Sequence, residues 1–172
     1  GLHLGHDKII SRLKEIAVQN EGNTLIFTFW PHPRLVLNNS SKSIKLLNSL
    51  DEKLSLFRDK GIDNTIVLPF TPEFSKLSSL DFIRNYLVKI IRVDTLVVGF
   101  NHHFGHDREG NIDNLRMYAR QFGFRVEKVE PFQLGDQHVS STLIRQTLEN
   151  GDIQTVNKML GYNYFLNGMV VK

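Results

Sequence analysis

Short runs of apolar, β-branched and aromatic residues alternate along this chain with segments in which apolar residues recur at helical spacing. The runs predict strands at 23–29, 65–68, 95–99 and 124–129. The helical segments lie at 50–60, 80–91, 112–122, 141–149 and 153–160, and Ser49 with Glu52 predicts a capping box at the start of the first of them. Strands separated by helices connect through right-handed crossovers. The pattern therefore predicts an α/β fold, a parallel sheet with helices on both faces.

The chain opens on two histidines around a glycine, the H-x-G-H tetrapeptide that runs from His3 through Gly5 to His6. A helix is predicted directly behind it, because apolar residues repeat at helical spacing at positions 9, 10, 13, 16 and 17. A helix start carries unpaired N–H groups and the positive end of a dipole, so it attracts phosphate. Two imidazoles three residues apart share one face of the first turn, and Gly5 lets an anion approach the backbone. This arrangement is typical of a polyphosphate site.

Both ends of the sequence differ from what a parallel domain requires. Such a sheet normally leads into its first helix with a strand, and no strand precedes His3 in this sequence. Residues 162–172 predict a lone strand that begins something new. We expect most of one α/β domain followed by the first strand of another.

Two loops follow predicted strands at their carboxyl ends, where ligands bind in sheets of this type. Pro31 and Pro33 stiffen the first loop, because each proline forces extended backbone on the residue before it. In the second loop, Asn101 offers hydrogen-bond donors and acceptors, and the ring of Phe104 can cover a planar ligand. Both loops are therefore candidate walls of a binding site.

The second loop also contains His102, His103 and His106, which raise the question of a metal site. We consider a polar loop the better interpretation, since the chain has no cysteine and these histidines lack a carboxylate pair and a familiar ligand spacing. All seven histidines lie in or beside four segments, at positions 3, 6, 32, 102, 103, 106 and 138. This clustering favours one shared pocket.

A second hydroxyl-rich helix start is predicted at 139–145. Ser140 or Ser141 is expected to cap the helix. Thr142 and the same hydroxyls also offer donors to phosphate, and Arg145, one turn further along, points to the same anion. A residue can cap a helix and still contact a phosphate, so both interpretations stay open.

The composition narrows the class of protein. The 172 residues, 41% of them hydrophobic and 23% charged, can form one ordinary globular domain. The absence of cysteine, of a long apolar run and of a recognisable signal peptide predicts a cytoplasmic protein. A net charge of +3 suits an anionic small molecule, and no basic stripe favours nucleic acid or membrane as a partner.

Four motifs, taken in order, resemble the bacterial bifunctional riboflavin kinase/FMN adenylyltransferase (FAD synthetase) family. They are Gly-Leu-His-Leu-Gly-His at 1–6, Thr-Phe-Trp-Pro-His-Pro-Arg at 28–34, Phe-Gly-His-Asp-Arg-Glu-Gly at 104–110 and Ser-Ser-Thr-Leu-Ile-Arg at 140–145. The H-x-G-H motif alone is shared with many HIGH-type nucleotidyltransferases, whereas the second and fourth motifs are much more specific. The resemblance covers nearly the whole chain.

The resemblance implies a Rossmann-like nucleotidyltransferase that converts FMN and ATP to FAD and pyrophosphate, with Mg²⁺ expected. It implies no particular metal ligand. The roles it carries over are, for catalysis, His3, His6 and Arg145; for ATP and its phosphates, Gly5, Ser140, Ser141 and Thr142; and for the flavin, Pro31, Pro33, Asn101 and Phe104. Residues 1–160 would form the FMN adenylyltransferase domain, truncated at its start, and residues 161–172 the start of a truncated riboflavin kinase barrel.

Two alternatives stay open at this point. One keeps the nucleotidyl transfer but changes the acceptor to nicotinamide mononucleotide, phosphopantetheine or a cytidylyltransferase substrate, and the Pro-His-Pro loop argues against it. The other is a flavin- or nucleotide-binding module that does not react. Outside the motifs, the aromatic residues between 70 and 86 are expected to lie in the core, and residues 71–75 are expected to form a loop.

Overall fold

Strands and helices alternate as the sequence predicts, in a computed structural model that describes residues 2–37, 44–100, 102, 104–106 and 110–171. The helices are α1 (Leu4–Gln19), α2 (Pro33–Leu37), α3 (Leu50–Asp59), α4 (Pro72–Ser75), α5 (Ser79–Phe82), α6 (Ile112–Phe122), α7 (Ser141–Glu149) and α8 (Ile153–Leu160), with a π-helix at Ile83–Ile91 that continues α5. The strands are β1 (Leu25–Trp30), β2 (Asn64–Pro69), β3 (Thr95–Gly99), β4 (Arg125–Val129), β5 (Gln133–Leu134) and β6 (Gln137–His138). The α/β fold is confirmed.

The long strands form two parallel pairs rather than the single sheet that the sequence predicts. β1 pairs with β2 from Leu25 opposite Asn64 onwards, and β3 pairs with β4 from Thr95 opposite Arg125 onwards. Strands β5 and β6 form a short antiparallel hairpin. Within the described residues no strand pairs with a member of each pair, so the two pairs are not joined into one sheet.

Helix α1 contacts both pairs of strands. On one side, Ile10 belongs to an apolar cluster with Leu56 and Phe57 of α3, which lies in the β1–β2 half. On the other side, the Arg12 guanidinium Nε donates to Glu127 Oε1 of β4 at 2.9 Å. The helix that carries the two histidines therefore spans the gap between the halves.

Two further apolar clusters hold the remaining helices. Ile83 and Leu87 of the π-helix pack with Val98 of β3 and Leu115 of α6. The cluster at α7 and α8 is centred on fully buried side chains, among them Ile144, Val156 and Leu160. It places the end of α8 beside the start of α1, since a Cβ atom on Gly161 would lie 2.6 Å from Leu4 Cδ2.

Several predicted elements are confirmed, and others differ. The helices at 112–122, 141–149 and 153–160 and the strand at 95–99 have the predicted bounds, and the capping box of α3 is formed by Ser49 and Glu52. The prediction of a loop at 71–75 is wrong, because Thr71 caps the short helix α4 by accepting a hydrogen bond from Phe74 N–H. The predicted helix at 80–91 begins as α5 and continues with the wider winding of a π-helix.

The predicted strand at 162–172 is wrong for its described part. Residues 162–171 form no strand, because no neighbouring strand is there to pair with them. Side chains hold this segment instead. Tyr164 N–H donates to Asn157 Oδ1 at 2.7 Å, and Asn167 N–H donates to Glu52 Oε1 at 3.1 Å. Among the described residues no helix is both long and apolar enough to cross a membrane.

Candidate active site

A cleft of about 2000 Å³ lies against β1 and β3, and α1 forms part of its wall. It brings together four of the segments that the sequence singles out. His6 reaches it from α1, and Thr142 and Arg145 reach it from α7. Pro33 and Phe104 come from the two loops at the carboxyl ends of β1 and β3. Of the described histidines, His6, His32, His102 and His106 line this cleft, whereas His3 and His138 do not, so the predicted pocket gathers only some of them.

The two histidines of the opening motif lie ring against ring, with centroids 3.9 Å apart. His3 is the N-cap residue of α1 and is only 8% exposed, so it supports His6 from behind and does not line the cleft. Within the described residues, the buried Nδ1 atoms of both rings have no hydrogen-bond partner. Buried nitrogens without partners are rare in folded proteins and favour a site that a ligand completes.

Burial governs the protonation of both rings. It lowers the pKa of His3 to about 3, with the neighbouring His6 adding to the shift. Burial also lowers the pKa of His6 to about 4. Both imidazoles are therefore neutral at pH 7 before any anion binds, and each offers an N–H donor without a charge.

Gly5 fits between these rings for a steric reason that the sequence does not reveal. A Cβ atom at this position would lie 3.0 Å from His3 Cε1 and Nδ1 and 3.6 Å from the Val139 carbonyl oxygen. The glycine thus makes room for the His3 ring and for the chain that leads into α7.

At the start of α7, one hydroxyl residue caps the helix and the next two line the cleft. Ser140 is the N-cap residue, and its Oγ accepts a hydrogen bond from Leu143 N–H at 3.2 Å. Ser141 and Thr142 line the cleft, whereas Ser140 does not. Arg145 Nε donates to the Lys45 carbonyl at 2.6 Å, and Nη1 donates to the Ser141 carbonyl at 3.1 Å. These two bonds fix the guanidinium at the edge of the cleft.

Only one of the two prolines predicted as walls of the site lines the cleft in the loop after β1. Pro33 lines the cleft and begins α2, a short helix that the sequence did not predict, whereas Pro31 is exposed and lies outside the cleft. His32 also lines the cleft, and its Nδ1 accepts a hydrogen bond from Arg34 N–H at 3.2 Å. Burial is the main cause that lowers the pKa of His32, followed by the charge of Arg145.

The loop after β3 presents an aromatic surface. The ring of Phe104 stacks with His102 at a centroid distance of 5.8 Å and an interplanar angle of 21°. Gly110 makes room for this ring, since a Cβ atom there would lie 2.6 Å from it. Asn101 and His103 fall outside the described residues, so the predicted flavin contact of Asn101 stays a prediction.

The lysine, arginine, aspartate and glutamate residues in the walls of the cleft are mostly cationic. Among the described residues that line it, the only carboxylate is Asp94, which pairs with Arg125, and the lysines and arginines are Arg34, Lys53, Arg92, Arg125 and Arg145. Mg²⁺ prefers carboxylate and carbonyl oxygens. No group of three or more histidine, aspartate or glutamate side chains in the described ranges could hold a metal ion. These walls suit a polyanion and do not fit an Mg²⁺ ion held by the protein itself.

Of the five cationic residues of the cleft, sequence reasoning singled out only Arg145 and missed the other four, among them Lys53 and Arg34. Lys53 lies in a predicted helix whose charged residues resemble any solvated helix face, and no spacing rule distinguishes it. Arg34 follows the Pro-His-Pro loop directly. A search for basic residues beside the predicted loops could have found Arg34, whereas Lys53 enters the cleft only through tertiary packing.

Parallel strands, flanking helices and a cleft that meets two helix starts form an α/β fold that is consistent with a nucleotidyltransferase domain. A sequence profile of the FAD synthetase family matches residues 1–143. The chain therefore belongs to the FAD synthetase family.

Bacterial relatives agree with this assignment. The bifunctional riboflavin kinase/FMN adenylyltransferase of Listeria monocytogenes is 37% identical to the chain over 171 residues, which cover 99% of the chain and 54% of the relative. The proteins of the same name from Bacillus subtilis and Escherichia coli are each 31% identical, again over 99% of the chain and 54% of the relative. The chain spans about half the length of the curated relatives it matches.

A solved structure shares the fold. The crystal structure of a macrolide-efflux protein from Streptococcus pneumoniae superposes with a TM-score of 0.84 at 25% sequence identity. The match covers 93% of this chain and 51% of that chain. It supports the α/β architecture described above.

Proposed function

We propose that this chain forms the part of its protein that transfers AMP from ATP to FMN, giving FAD and pyrophosphate. Family membership supports this function, and so do the names of the relatives. The observation that carries the proposal is the single cleft that joins His6, at the start of α1, to Thr142 and Arg145, at the start of α7. Two helix starts with hydroxyl, guanidinium and imidazole groups are the expected cradle of a triphosphate.

The reaction needs no nucleophile from the protein. An oxygen of the FMN phosphate attacks the α-phosphorus of ATP, a new P–O bond forms, and the bond to the bridging oxygen of the β-phosphate breaks as pyrophosphate leaves. Catalysis then depends on alignment and on donors to the oxygens whose charge increases. His6 and the N–H groups of α1 supply donors on one side, and Ser141, Thr142 and Arg145 supply them on the other.

The catalytic role of His3 is indirect in this proposal. Its ring contacts His6 and does not line the cleft, so we assign it to holding the His6 ring in place. Gly5 keeps space for that ring. Ser140 acts chiefly as the cap that fixes the start of α7, with its predicted phosphate contact secondary.

The flavin is proposed to lie at the aromatic end of the same cleft. Phe104 and Pro33 line it there, and the stacked rings of Phe104 and His102 are suited to a planar ring system. Asn101 keeps the role that the family resemblance implies, whereas Pro31, which lies outside the cleft, would act only through the loop that carries Pro33. Mg²⁺ would enter bound to the ATP phosphates and neutralise part of their charge, with its ligands coming mainly from the nucleotide and water.

We further propose that residues 1–160 carry this reaction and that residues 161–172 belong to the riboflavin kinase part of such bifunctional proteins. Four exposed apolar side chains in this stretch support a packing partner: Leu166, Met169, Val170 and Val171. Helix α8 then belongs to the nucleotidyltransferase part, residues 1–160.

The function is tested by measuring FAD formation from FMN and ATP with Mg²⁺ in the intact protein and in His6→Ala. We expect the variant to lose FAD formation by roughly two to three powers of ten, the scale for losing a donor to the transition state. His138→Ala is the matched control, because His138 is exposed on β6. Near-normal turnover in His6→Ala would refute the role of the motif, and pyrophosphate release with nicotinamide mononucleotide or phosphopantetheine but not with FMN would refute the acceptor.

A further inference from the structure

Lys53, in the first turns of α3, brings a half-buried ammonium group into the same cleft as His6, His32 and Arg145. Its Nζ donates to Thr28 Oγ1 of β1 at 2.9 Å. Thr28 Oγ1 is a neutral hydroxyl, and within the described residues no carboxylate forms an ion pair with Lys53. A cation that is partly removed from water without an anionic partner is unfavourable, unless a ligand supplies the anion.

A nearby lysine of the same region has an acidic partner, whereas Lys53 has none among the described residues. Lys60, at the other end of α3, is also partly buried, and its Nζ lies 2.6 Å from Asp7 Oδ2. Glu52 precedes Lys53 in sequence, but its carboxylate accepts hydrogen bonds from Ser49 N–H and Asn167 N–H. The fold thus pairs one lysine and leaves the other facing the cleft.

Lys53 lies close enough to two histidines of the site for its charge to act on them. Its charge contributes to the lowered pKa of His6 and to that of His32. Burial lowers the pKa of Lys53 itself. The ammonium therefore acts on both imidazoles from the side of β1, where it donates to Thr28.

We propose that Lys53 binds a phosphate group of the polyphosphate substrate, as a further binding residue that neither the sequence motifs nor the family resemblance assigns. The inference rests on the proposed function and deepens it. An ammonium group is a compact point charge that suits a phosphate oxygen, and it would complement the planar guanidinium of Arg145. Thr28 positions the ammonium until the phosphate arrives.

The test uses inorganic tripolyphosphate, which carries the phosphate chain without nucleoside or flavin. Titration calorimetry measures its affinity for the wild-type protein and for the variants Lys53→Met, Lys53→Arg and Lys89→Met. Lys89 is an exposed lysine of the π-helix and serves as the control of equal charge change. We expect at least tenfold weaker binding in Lys53→Met, a loss of less than threefold in Lys53→Arg and binding within twofold of wild type in Lys89→Met.

A second measurement needs no variant and therefore holds even when Lys53→Met fails to fold. Acetylation of lysines in the wild-type protein is quantified by mass spectrometry with and without tripolyphosphate. Protection of Lys53 but not of Lys89 supports the proposal, and equal labelling of Lys53 in both conditions overturns it.

FAD formation is measured in parallel, so that the two proposals can fail separately. Tripolyphosphate binding that depends on Lys53, without FAD formation, overturns the proposed function alone. FAD formation with unchanged tripolyphosphate binding in a folded Lys53→Met overturns this inference alone.

Discussion

His3 and His6 are held in a place that disfavours a protonated ring for two physical reasons. Burial removes water from both imidazoles, and a neighbouring group adds to each lowered pKa, His6 for His3 and Lys53 for His6. The charge of the site therefore comes from Lys53 and the arginines, while the histidines supply neutral N–H donors. A bound phosphate chain should raise the lowered pKa values of both histidines, since its negative charge favours the protonated form of each ring.

The lowered pKa values predict how stability depends on pH. Below about pH 6.5 the unfolded chain protonates both histidines, whereas the folded protein keeps them neutral until about pH 4 for His6 and about pH 3 for His3. The free energy of unfolding should then fall as the pH decreases from 6.5 towards 4, by about 1.4 kcal/mol per pH unit for each histidine. Urea unfolding at pH 7.0, 6.0 and 5.0 measures this slope.

The control for this prediction compares variants. His3→Gln and His6→Gln should each reduce the slope between pH 6.0 and 5.0, and His138→Gln, at an exposed position, should leave it unchanged. Equal slopes in the wild type and in both variants of the opening motif would contradict the assigned protonation states.

At the scale of the element, the start of α7 divides its hydroxyls between two tasks. Ser140 Oγ is used inside the helix, and Ser141 and Thr142 face the cleft. Ser140→Ala should therefore lower the free energy of unfolding by about 1 kcal/mol, and Ser140→Asn, which keeps a capping oxygen, should lower it by only a few tenths. Chemical unfolding of the three proteins measures this difference.

The same variants separate capping from phosphate binding. We expect Ser140→Asn to bind ATP within threefold of wild type, since the variant keeps the cap and removes only a hydroxyl that does not line the cleft. A tenfold loss of ATP affinity in a fully stable Ser140→Asn would show that the hydroxyl contacts phosphate directly.

Elements whose ends are fixed by local chemistry were predictable from the sequence. The capping box of Ser49 and Glu52 starts α3 as expected, and Gly123 ends α6 in the left-handed conformation that glycine permits. The π-helix was not predictable, because its apolar spacing also fits an α-helix. Its wider winding buries Ile83 and Leu87 but leaves Ile90 68% exposed, although an α-helix would have placed all three on one face.

Features that depend on distant partners were the ones that sequence reasoning missed or misjudged. The apolar pattern of residues 162–172 is typical of a strand, but a strand forms only where a neighbour pairs with it. Lys53 belongs to the cleft because α3 packs beside β1, which no local pattern encodes. The segments at 3–6 and 140–145 were recognisable because their chemistry is local to a helix start, and the fold then brings them to one cleft.

At the scale of the whole molecule, α1 connects two halves that share no sheet among the residues the structure describes. It packs on α3 through Ile10 and forms an ion pair with Glu127 of β4 through Arg12. A ligand at the start of α1 that also contacts α7 and α3 therefore stabilises contacts among all three helices. Binding of ATP and stability should be linked.

We expect ATP with Mg²⁺, at about 100 times its dissociation constant, to raise the free energy of unfolding by about 2.7 kcal/mol. For a chain of this size that corresponds to a rise in Tm of roughly 5–10 °C. Thermal unfolding followed by circular dichroism measures the shift. Adenosine at the same concentration lacks the phosphates and should change Tm by less than 1 °C or so. An equal shift with adenosine would contradict a site built for the phosphate chain.

The open edges of β1 and β3 have a consequence for solvation. Each of these strands has a sheet partner on one side only within the described part of the chain. Every second peptide group along them therefore points into the cleft, where water molecules or a filling segment must satisfy it. A segment that settles between the two pairs would gain main-chain hydrogen bonds along both of its own edges.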